Sequence, residues 1–444
     1  MNTYVEEYIK RTRKSKSLYE EAVKHLPGGV ATPIRTFDPY PFYAARAKGS
    51  KIWDVDGNEY IDYNNCYGVI IAGHANPVVE KAVKEQIEKG LIFGLPEEKE
   101  ALLVKELKRR YPMMDMFRFT NSGSETTMYS LRIARAYTGK DKIVKMEGSY
   151  HGSHDYLMIS HQPPLGKMGP AWAPTPFVHS DGIPKDTAKN TLVAPFNDAG
   201  ALENILRKHE AEVAAVIMEP VIGNCGVLLP EKGYLEDVRT LTRKYNVVLI
   251  FDEVKTGLRI APGGASEYFG VDPDIVCLAK VLGGGMSLGA FGATKDISSE
   301  IFPLGGAMHF GTYNGHPVSV AAGLAVLTQV LTDEAYEKLN LLGDRLRKGM
   351  RDILERSGIP AKVQGIGSMA TILFNELDQI TNYREAIRSD KEFFMKYWMG
   401  CVTKGVIMMG PKWSEESVLT TAHTESDIDQ TLSVIDDTLK ELTS

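Results

Sequence analysis

Lys280 is the residue in this chain best placed to do chemistry. It ends a short apolar run, Ile275-Val-Cys-Leu-Ala279, and the glycine cluster Gly283-Gly284-Gly285 follows it at once. A lysine held on rigid backbone in apolar surroundings has a poorly solvated ammonium, so its pKa is expected to fall. Such an amine can act as a nucleophile, and Schiff-base formation is the reaction that needs one. Glycines beside it would let backbone approach a bulky group closely. Taken alone, the stretch is equally that of a strand end, a solvated lysine and a flexible loop. Four other short stretches carry residues of complementary type: Asn121-Ser122-Gly123-Ser124-Glu125, Glu147-Gly-Ser-Tyr150-His151-Gly152, Glu219-Pro220, and Asp252-Glu253-Val254.

The elements that would position these residues alternate along the middle of the chain. Strands are expected over 117–120, 142–146, 213–218, 247–251 and 275–279, with helices over 124–137 and 234–245. That alternation predicts an α/β fold: a mostly parallel sheet with helices on both faces. In such a sheet ligands gather at the carboxyl ends of the strands, and each of the five stretches lies just past a predicted strand. Ser122, Gly123 and Ser124 at a helix start would hold a phosphate, although the same residues are ordinary helix caps. Asp252 at that depth needs a partner, either backbone or a protonated pyridine nitrogen. Tyr150 or His151 suits stacking on a flat ring, or plain packing. A phosphate cup, a buried acid, an aromatic platform and a lone lysine together match the needs of pyridoxal 5'-phosphate.

Outside this region a helix is expected over 4–25, stopped by Pro27-Gly28-Gly29. Alternating segments around Asp56-Gly57 predict a β-hairpin. Helices are expected over 77–89 and 97–111, and a long one from about 316. The Pro- and Gly-rich stretch Gln162 to Pro176 reads as a lid or binding loop, or equally as a surface excursion without a role. The expected domains are 1–75, an N-terminal segment and hairpin packing with the small domain; 76–315, the large cofactor-binding domain; and 316–444, a small α+β domain.

The 444 residues exceed what one core usually holds. A net charge of −6 gives no general attraction to nucleic acid or an anionic membrane. No signal-peptide-like stretch and no apolar run long enough to span a bilayer is present. The four cysteines are widely spaced, which suggests neither a disulfide framework nor a metal site. A cytoplasmic location is the expectation. No G-x-x-x-x-G-K-[ST] or G-x-S-x-G motif occurs, which argues against a nucleotide-binding loop and a nucleophile elbow.

With these residues in view, the chain resembles the class III (subgroup II) pyridoxal-phosphate aminotransferases, and among them most closely the glutamate-1-semialdehyde 2,1-aminomutases. The likeness runs over nearly the whole chain. It is carried by Pro27-Gly-Gly-Val, Trp53-Asp-Val-Asp-Gly-Asn, Asn121-Ser-Gly-Ser-Glu, Tyr150-His-Gly, Glu219-Pro-Val-Ile-Gly-Asn224, Asp252-Glu-Val, Lys280-Val-Leu-Gly-Gly-Gly, Gly311-Thr-Tyr-Asn-Gly-His-Pro and Ala422-His-Thr. The resemblance implies the architecture called fold type I, with a smaller α+β domain beside the large one. It implies that Lys280 carries the cofactor as a Schiff base and then moves protons, and that Asp252 pairs with the pyridinium nitrogen. Val254 and Tyr150, with His151 beside it, would flank the ring. Ser122, Gly123 and Ser124 would bind the phosphate, and Asn224 the phenolic oxygen, with Glu219 nearby. Thr312 matches a threonine that reaches the phosphate of a neighbouring subunit, which implies a homodimer with shared sites. Arg35 sits where the aminomutases bind a substrate carboxylate, and Glu415 falls at a glutamate near their active site.

Departures from the aminomutase pattern fall in the substrate region. Cys66-Tyr67-Gly68-Val69 stands where Ser-Trp-Gly-Pro is typical, and Tyr313-Asn-Gly-His stands where Leu-Ser-Gly-Asn is typical. The loop after Tyr150-His151 is longer and richer in proline. On these grounds the leading expectation is a ping-pong transaminase that takes a small carboxylate-bearing amino donor and an oxo acceptor. The alternative is the aminomutase itself, followed by an amino-acid racemase or epimerase. A non-catalytic binding protein on the same scaffold is opposed by the intact Lys280, Asp252 and phosphate cup.

Overall fold

The computed structural model describes residues 3–408, 410 and 415–443. The chain forms two compact units, one of residues 1–77, 337–379 and 388–444 and the other of residues 78–336 and 380–387. Among the described residues fourteen strands follow in chain order: β1 (Ala44–Lys48), β2 (Lys51–Asp54), β3 (Glu59–Asp62), β4 (Met116–Thr120), β5 (Lys142–Met146), β6 (Thr191–Ala194), β7 (Val213–Met218), β8 (Val248–Asp252), β9 (Ile275–Leu278), β10 (Gly289–Ala293), β11 (Lys362–Gln364), β12 (Met369–Leu373), β13 (Val406–Ile407) and β14 (Ser417–Val418).

The larger unit is built on a seven-stranded sheet in the order β4-β10-β9-β8-β7-β5-β6. The β9-β8-β7-β5-β6 run is parallel throughout, while β10 is antiparallel to both of its neighbours. Every residue of β7 and β8 is buried. Near-continuous apolar runs are what a parallel strand covered on both faces requires. Leu131 and Ile133 of the helix Gly123–Thr138 pack with Ile143, Ile217, Ile250, Ile275 and Phe291 in one core cluster. The expected strand over 247–251 is displaced by one residue, so Asp252 closes β8 instead of following it.

Residues 316–336, expected in the small domain, belong to this unit. The helix Pro317–Ala325 is almost wholly buried. Beyond it, Arg110 donates to the carbonyls of Leu327 and Leu331 at 2.7 and 3.3 Å and to the Tyr336 hydroxyl at 3.0 Å. The short segment 380–387 also joins this unit, far in sequence from the rest of it.

The smaller unit contains the sheet β1-β2-β3-β13 and the sheet β11-β12-β14. The hairpin expected around Asp56-Gly57 is the β2–β3 pair. The single helix expected over 4–25 is instead two, Thr3–Arg11 and Arg13–Ala22. At the break the Thr12 hydroxyl donates back to the Tyr8 carbonyl at 2.6 Å. The Asp56 carboxylate accepts the backbone N–H groups of Lys14 and Ser15 at 2.6 and 3.0 Å. The second helix therefore takes its N-terminal cap from the hairpin turn. No single helix among the described residues is long and apolar enough to cross a membrane.

Candidate functional site

In the larger unit the carboxyl ends of β4, β5, β7, β8 and β9 lie on one edge of the sheet, and each delivers one of the chemical stretches. Lys280 follows β9 with φ 47°, in the left-handed region. For a residue with a Cβ that conformation costs about 1–2 kcal/mol, and strain of this kind concentrates at functional sites.

Asp252 and His151 form the electrostatic centre. Asp252 is 4% exposed and His151 1%. Asp252 Oδ2 lies 2.7 Å from His151 Nδ1, and Asp252 Oδ1 accepts the Val254 N–H at 3.1 Å. Burial pushes the His151 pKa down, against the opposing pull of Asp252. A neutral imidazole whose Nδ1–H donates to the carboxylate leaves Nε2 as the lone-pair nitrogen. Nε2 is buried and has no hydrogen-bond partner among the described residues. His151 is thus engaged with Asp252 through Nδ1.

Glu219, at the end of β7, is 3% exposed. It accepts the Tyr150 N–H at 2.9 Å and the Gly223 N–H at 3.1 Å, so it ties the loop after β5 to the turn that carries Asn224. Burial, followed by the Asp252 charge, raises its pKa to about 7, with Lys255 and the two N–H groups opposing. Neighbouring Glu253 has a different task. Its carboxylate accepts from the Ala265 and Ser266 N–H groups at 2.6 and 2.9 Å, at the start of the helix Gly264–Phe269.

The expected phosphate cup opens the helix Gly123–Thr138, with Ser122 as its N-cap accepting the Glu125 N–H at 3.2 Å. The N-terminal end of a helix carries the positive end of its dipole and unpaired N–H groups. Ser124 Oγ accepts the Ser153 N–H at 3.1 Å. Gly123 leaves room for Val254, since a Cβ there would sit 3.1 Å from the valine methyls. Gly152, with φ 99°, is packed so closely on Ser124 that a Cβ would meet its Cα at 2.6 Å.

Tyr150 is 36% exposed, and its ring centroid lies 4.8 Å from that of His161. Gln162 Nε2 donates to the Asn224 carbonyl at 3.1 Å, so the start of the Pro-rich loop touches the residues of the site. Thr312 is exposed, beside Phe310 and Tyr313, each at least 60% exposed.

Arg35 and Glu415 lie in the smaller unit. Arg35 lines a cavity of about 550 Å³ together with Tyr67, Phe37, Phe42, Trp398 and Ile407. Tyr67 donates to the Ile34 carbonyl at 2.7 Å. Burial raises its pKa, the Glu415 carboxylate adds to this, and Arg35 opposes it. Gly410 touches both neighbours, since a Cβ there would lie 2.9 Å from Glu415 Oε2 and 3.3 Å from the Tyr67 ring. Arg35, Tyr67 and Glu415 thus share one electrostatic environment.

Two features escaped the sequence reading. Asn65, Cys66, Tyr67 and Gly68 all have positive φ, forming a left-handed turn. Asp62 Oδ1 holds it by accepting the Asn64 and Asn65 N–H groups at 2.9 and 3.0 Å. The sequence signal was the Asn-Asn pair before the glycine. The second is Lys145, fully buried on β5, whose Nζ donates to the carbonyls of Ser149, Ile159 and Leu157 at 2.8, 2.6 and 3.3 Å. Its signal was a lysine inside an otherwise apolar strand.

A family profile for class-III aminotransferases matches residues 35–437. The chain belongs to the class-III aminotransferases. A relative from Archaeoglobus fulgidus, named glutamate-1-semialdehyde 2,1-aminomutase, is 45% identical over 96% of this chain and 99% of its own. Among solved structures, an omega-transaminase from Sphaerobacter thermophilus superposes with a TM-score of 0.93 at 34% identity, covering 97% of this chain and 98% of its own. A lysine-to-alanine variant of a glutamate-1-semialdehyde aminomutase from Pseudomonas aeruginosa PAO1, in complex with PMP, superposes with a TM-score of 0.90 at 27% identity, covering 99% and 97%.

A class-III aminotransferase is a pyridoxal-phosphate enzyme of fold type I, and the residues here fit that cofactor. A buried carboxylate is held by a neutral histidine, a serine-lined helix start can take a phosphate, and a lysine stands at a strained strand end.

Proposed function

We propose that this class-III enzyme moves an amino group on a small carboxylate-bearing substrate, with Lys280 as the residue that carries pyridoxal 5'-phosphate. The observation that carries the chemistry is the buried Asp252–His151 pair, at 2.7 Å, on the same sheet edge as Lys280. When bound, the cofactor supplies an electron sink for the carbon that loses its proton. Asp252 would hold a proton on the ring nitrogen, and His151 would aim its carboxyl group. Lys280 Nζ takes and returns the substrate proton. Ser122, Gly123 and Ser124 hold the phosphate, Asn224 the phenolic oxygen, and Tyr150 and Val254 the ring faces. Arg35, beside Tyr67 and Glu415, anchors the substrate carboxylate through a bidentate guanidinium contact.

The specific reaction with most support is the intramolecular one, which would turn glutamate-1-semialdehyde into 5-aminolevulinate; the 45%-identical Archaeoglobus fulgidus relative is named glutamate-1-semialdehyde 2,1-aminomutase. Intermolecular transamination is the second reading, supported by the 34%-identical omega-transaminase of matching fold. The cavity beside Arg35 is walled by Phe37, Phe42, Trp398 and Ile407, and Tyr67 enters it from a left-handed turn. Exposed Phe302, Leu304, Met308, Phe310 and Tyr313 around Thr312 support a homodimer in which Thr312 reaches the neighbouring subunit's phosphate. The four cysteines stand far apart in the sequence with no Cys-x-x-Cys spacing, which fits a reducing compartment, the cytoplasm.

The test is to mix the purified protein with glutamate-1-semialdehyde, and separately with single amino acids. Formation of 5-aminolevulinate as the single five-carbon product, with no deaminated or diamino acid beside it, supports the intramolecular reading. Stoichiometric release of an oxo acid from an amino acid, with the semialdehyde unreactive, assigns a transaminase. Inertness toward both contradicts the proposal.

A further inference from the structure

The Pro-rich loop between Ser160 and Phe177 is closed at its neck. Ser160 N–H donates to the Phe177 carbonyl at 2.7 Å, and Phe177 N–H donates to Ser160 Oγ at 3.0 Å. Ile159 and Val178 form an antiparallel bridge just below. Within the loop, Thr175 N–H donates to the Met168 carbonyl at 2.8 Å and Lys167 N–H to the Pro164 carbonyl at 2.8 Å. The loop is thus a compact Ω-shaped excursion, whose first residues contact Tyr150 through His161 and Asn224 through Gln162.

The body of this loop is tethered by a segment more than two hundred residues away in sequence. Arg384 pairs with both oxygens of Glu147, at 2.7 and 3.0 Å. The same guanidinium donates to three successive loop carbonyls, Met168 at 3.1 Å, Gly169 at 2.8 Å and Pro170 at 3.3 Å. Beside it, the Tyr383 hydroxyl donates to the Pro163 carbonyl at 3.0 Å. The Tyr383 ring lies against Gly148, where a Cβ would be 2.5 Å away. Both residues sit on a single helical turn, Tyr383–Ala386, capped by Asn382. Glu147 and Gly148 immediately precede the stretch that presents Tyr150 and His151. One turn of helix therefore grips the loop on one side and the root of the cofactor platform on the other.

We propose that Arg384 and Tyr383 are positioning residues that latch the 161–176 loop against Tyr150 and Asn224, and so set the geometry of the cofactor platform for substrate. A planar guanidinium with five donors is suited to hold a carboxylate and several carbonyls at once, whereas an ammonium is not. The effect on substrate rests on the function proposed above, but the latch itself does not.

The test uses the holoenzyme and compares wild type with Arg384→Gln, Arg384→Lys and Tyr383→Phe by amide hydrogen exchange. Exchange at Lys167 and Thr175 should accelerate by on the order of tenfold or more in Arg384→Gln, because a charged donor shared by four acceptors is lost. Exchange in β7 should stay unchanged. Arg384→Lys should recover only part of the protection, and Tyr383→Phe, which keeps the ring on Gly148, should accelerate loop exchange by roughly threefold. Unchanged loop exchange in both Arg384→Gln and Tyr383→Phe overturns the latch. If Arg384→Gln also loosens β7, the Tyr383→Phe result alone decides. The second readout is the split between KM and kcat with the substrate that the mixing test identifies: Arg384→Gln should raise KM while leaving kcat within a few-fold, and faster loop exchange with an unchanged KM overturns the positioning role. If that test finds no substrate, the proposed function falls and the exchange result alone judges the latch.

Discussion

Replacing Gly152 by alanine probes the proposed phosphate cup without touching a group that does chemistry. Gly152 has φ 99°, and a Cβ there would lie 2.5 Å from Ser124 Oγ and 2.6 Å from Ser124 Cα. The backbone conformation costs a residue with a Cβ about 1–2 kcal/mol. Pushing against Ser124 adds about 1–3 kcal/mol, because a neighbouring backbone atom must give way. Together these come to about 2–5 kcal/mol. Without cofactor, the variant can relax by moving the 150–153 stretch off Ser124, which opens the cup. Binding the phosphate then requires that strain to be restored. Affinity for pyridoxal 5'-phosphate should fall by about 30-fold or more, at roughly 1.4 kcal/mol per tenfold. The assay is equilibrium titration of apoprotein followed by cofactor absorbance. Gly139→Ala is the control. Gly139 has φ 68° at the far end of the same helix, but a Cβ there would meet nothing within 4 Å. It should lower thermal stability slightly and leave cofactor affinity unchanged. If Gly152→Ala and Gly139→Ala bind cofactor equally well, the assignment of Ser122–Ser124 as the cup is refuted.

Three further outcomes follow from buried groups. Asp252→Asn should reduce turnover by about two orders of magnitude or more, since it removes the charge that stabilises the ring-nitrogen proton; a variant within a few-fold of wild type would count against that role. Glu219 titrates near pH 7 in the fold, against 4.5 as a free group. Because the folded form holds its proton more tightly, Glu219 makes the apoprotein less stable as pH rises from about 4.5 to 7. Glu219→Gln should flatten that decline in thermal melts between pH 5 and 8, and an unaltered slope would exclude Glu219 as its source. Lys145→Met leaves the Ser149, Leu157 and Ile159 carbonyls without their shared donor. At about 1–3 kcal/mol per orphaned buried group, the melting temperature should drop measurably, and an unchanged melt would mean the lysine is dispensable.

The large sheet and most of the candidate site could be read from the chain because charged and small polar residues stood out just past apolar runs. A parallel sheet then places all such strand ends on one edge, so Ser122, Tyr150, Glu219, Asp252 and Lys280 needed no knowledge of long-range contacts. What escaped depends on partners distant in sequence. His151 reveals its role only through Asp252, 101 residues away. The break at Thr12 depends on Asp56, and the departure of 380–387 from its sequence neighbours depends on Glu147 and the 162–170 stretch. The left-handed turn at Asn65–Gly68 requires three non-glycine residues in a disfavoured conformation, which propensities argue against and Asp62 compensates.

Lys280 as the covalent anchor of the cofactor is tested most directly by reducing the holoenzyme with borohydride and mapping the phosphopyridoxyl group by peptide mass spectrometry. The expected result is a single modified peptide bearing the group on Lys280, and none in Lys280→Ala. Modification at Lys145 or Lys255 with Lys280 unmodified, or no covalent attachment in the wild type, would contradict the account.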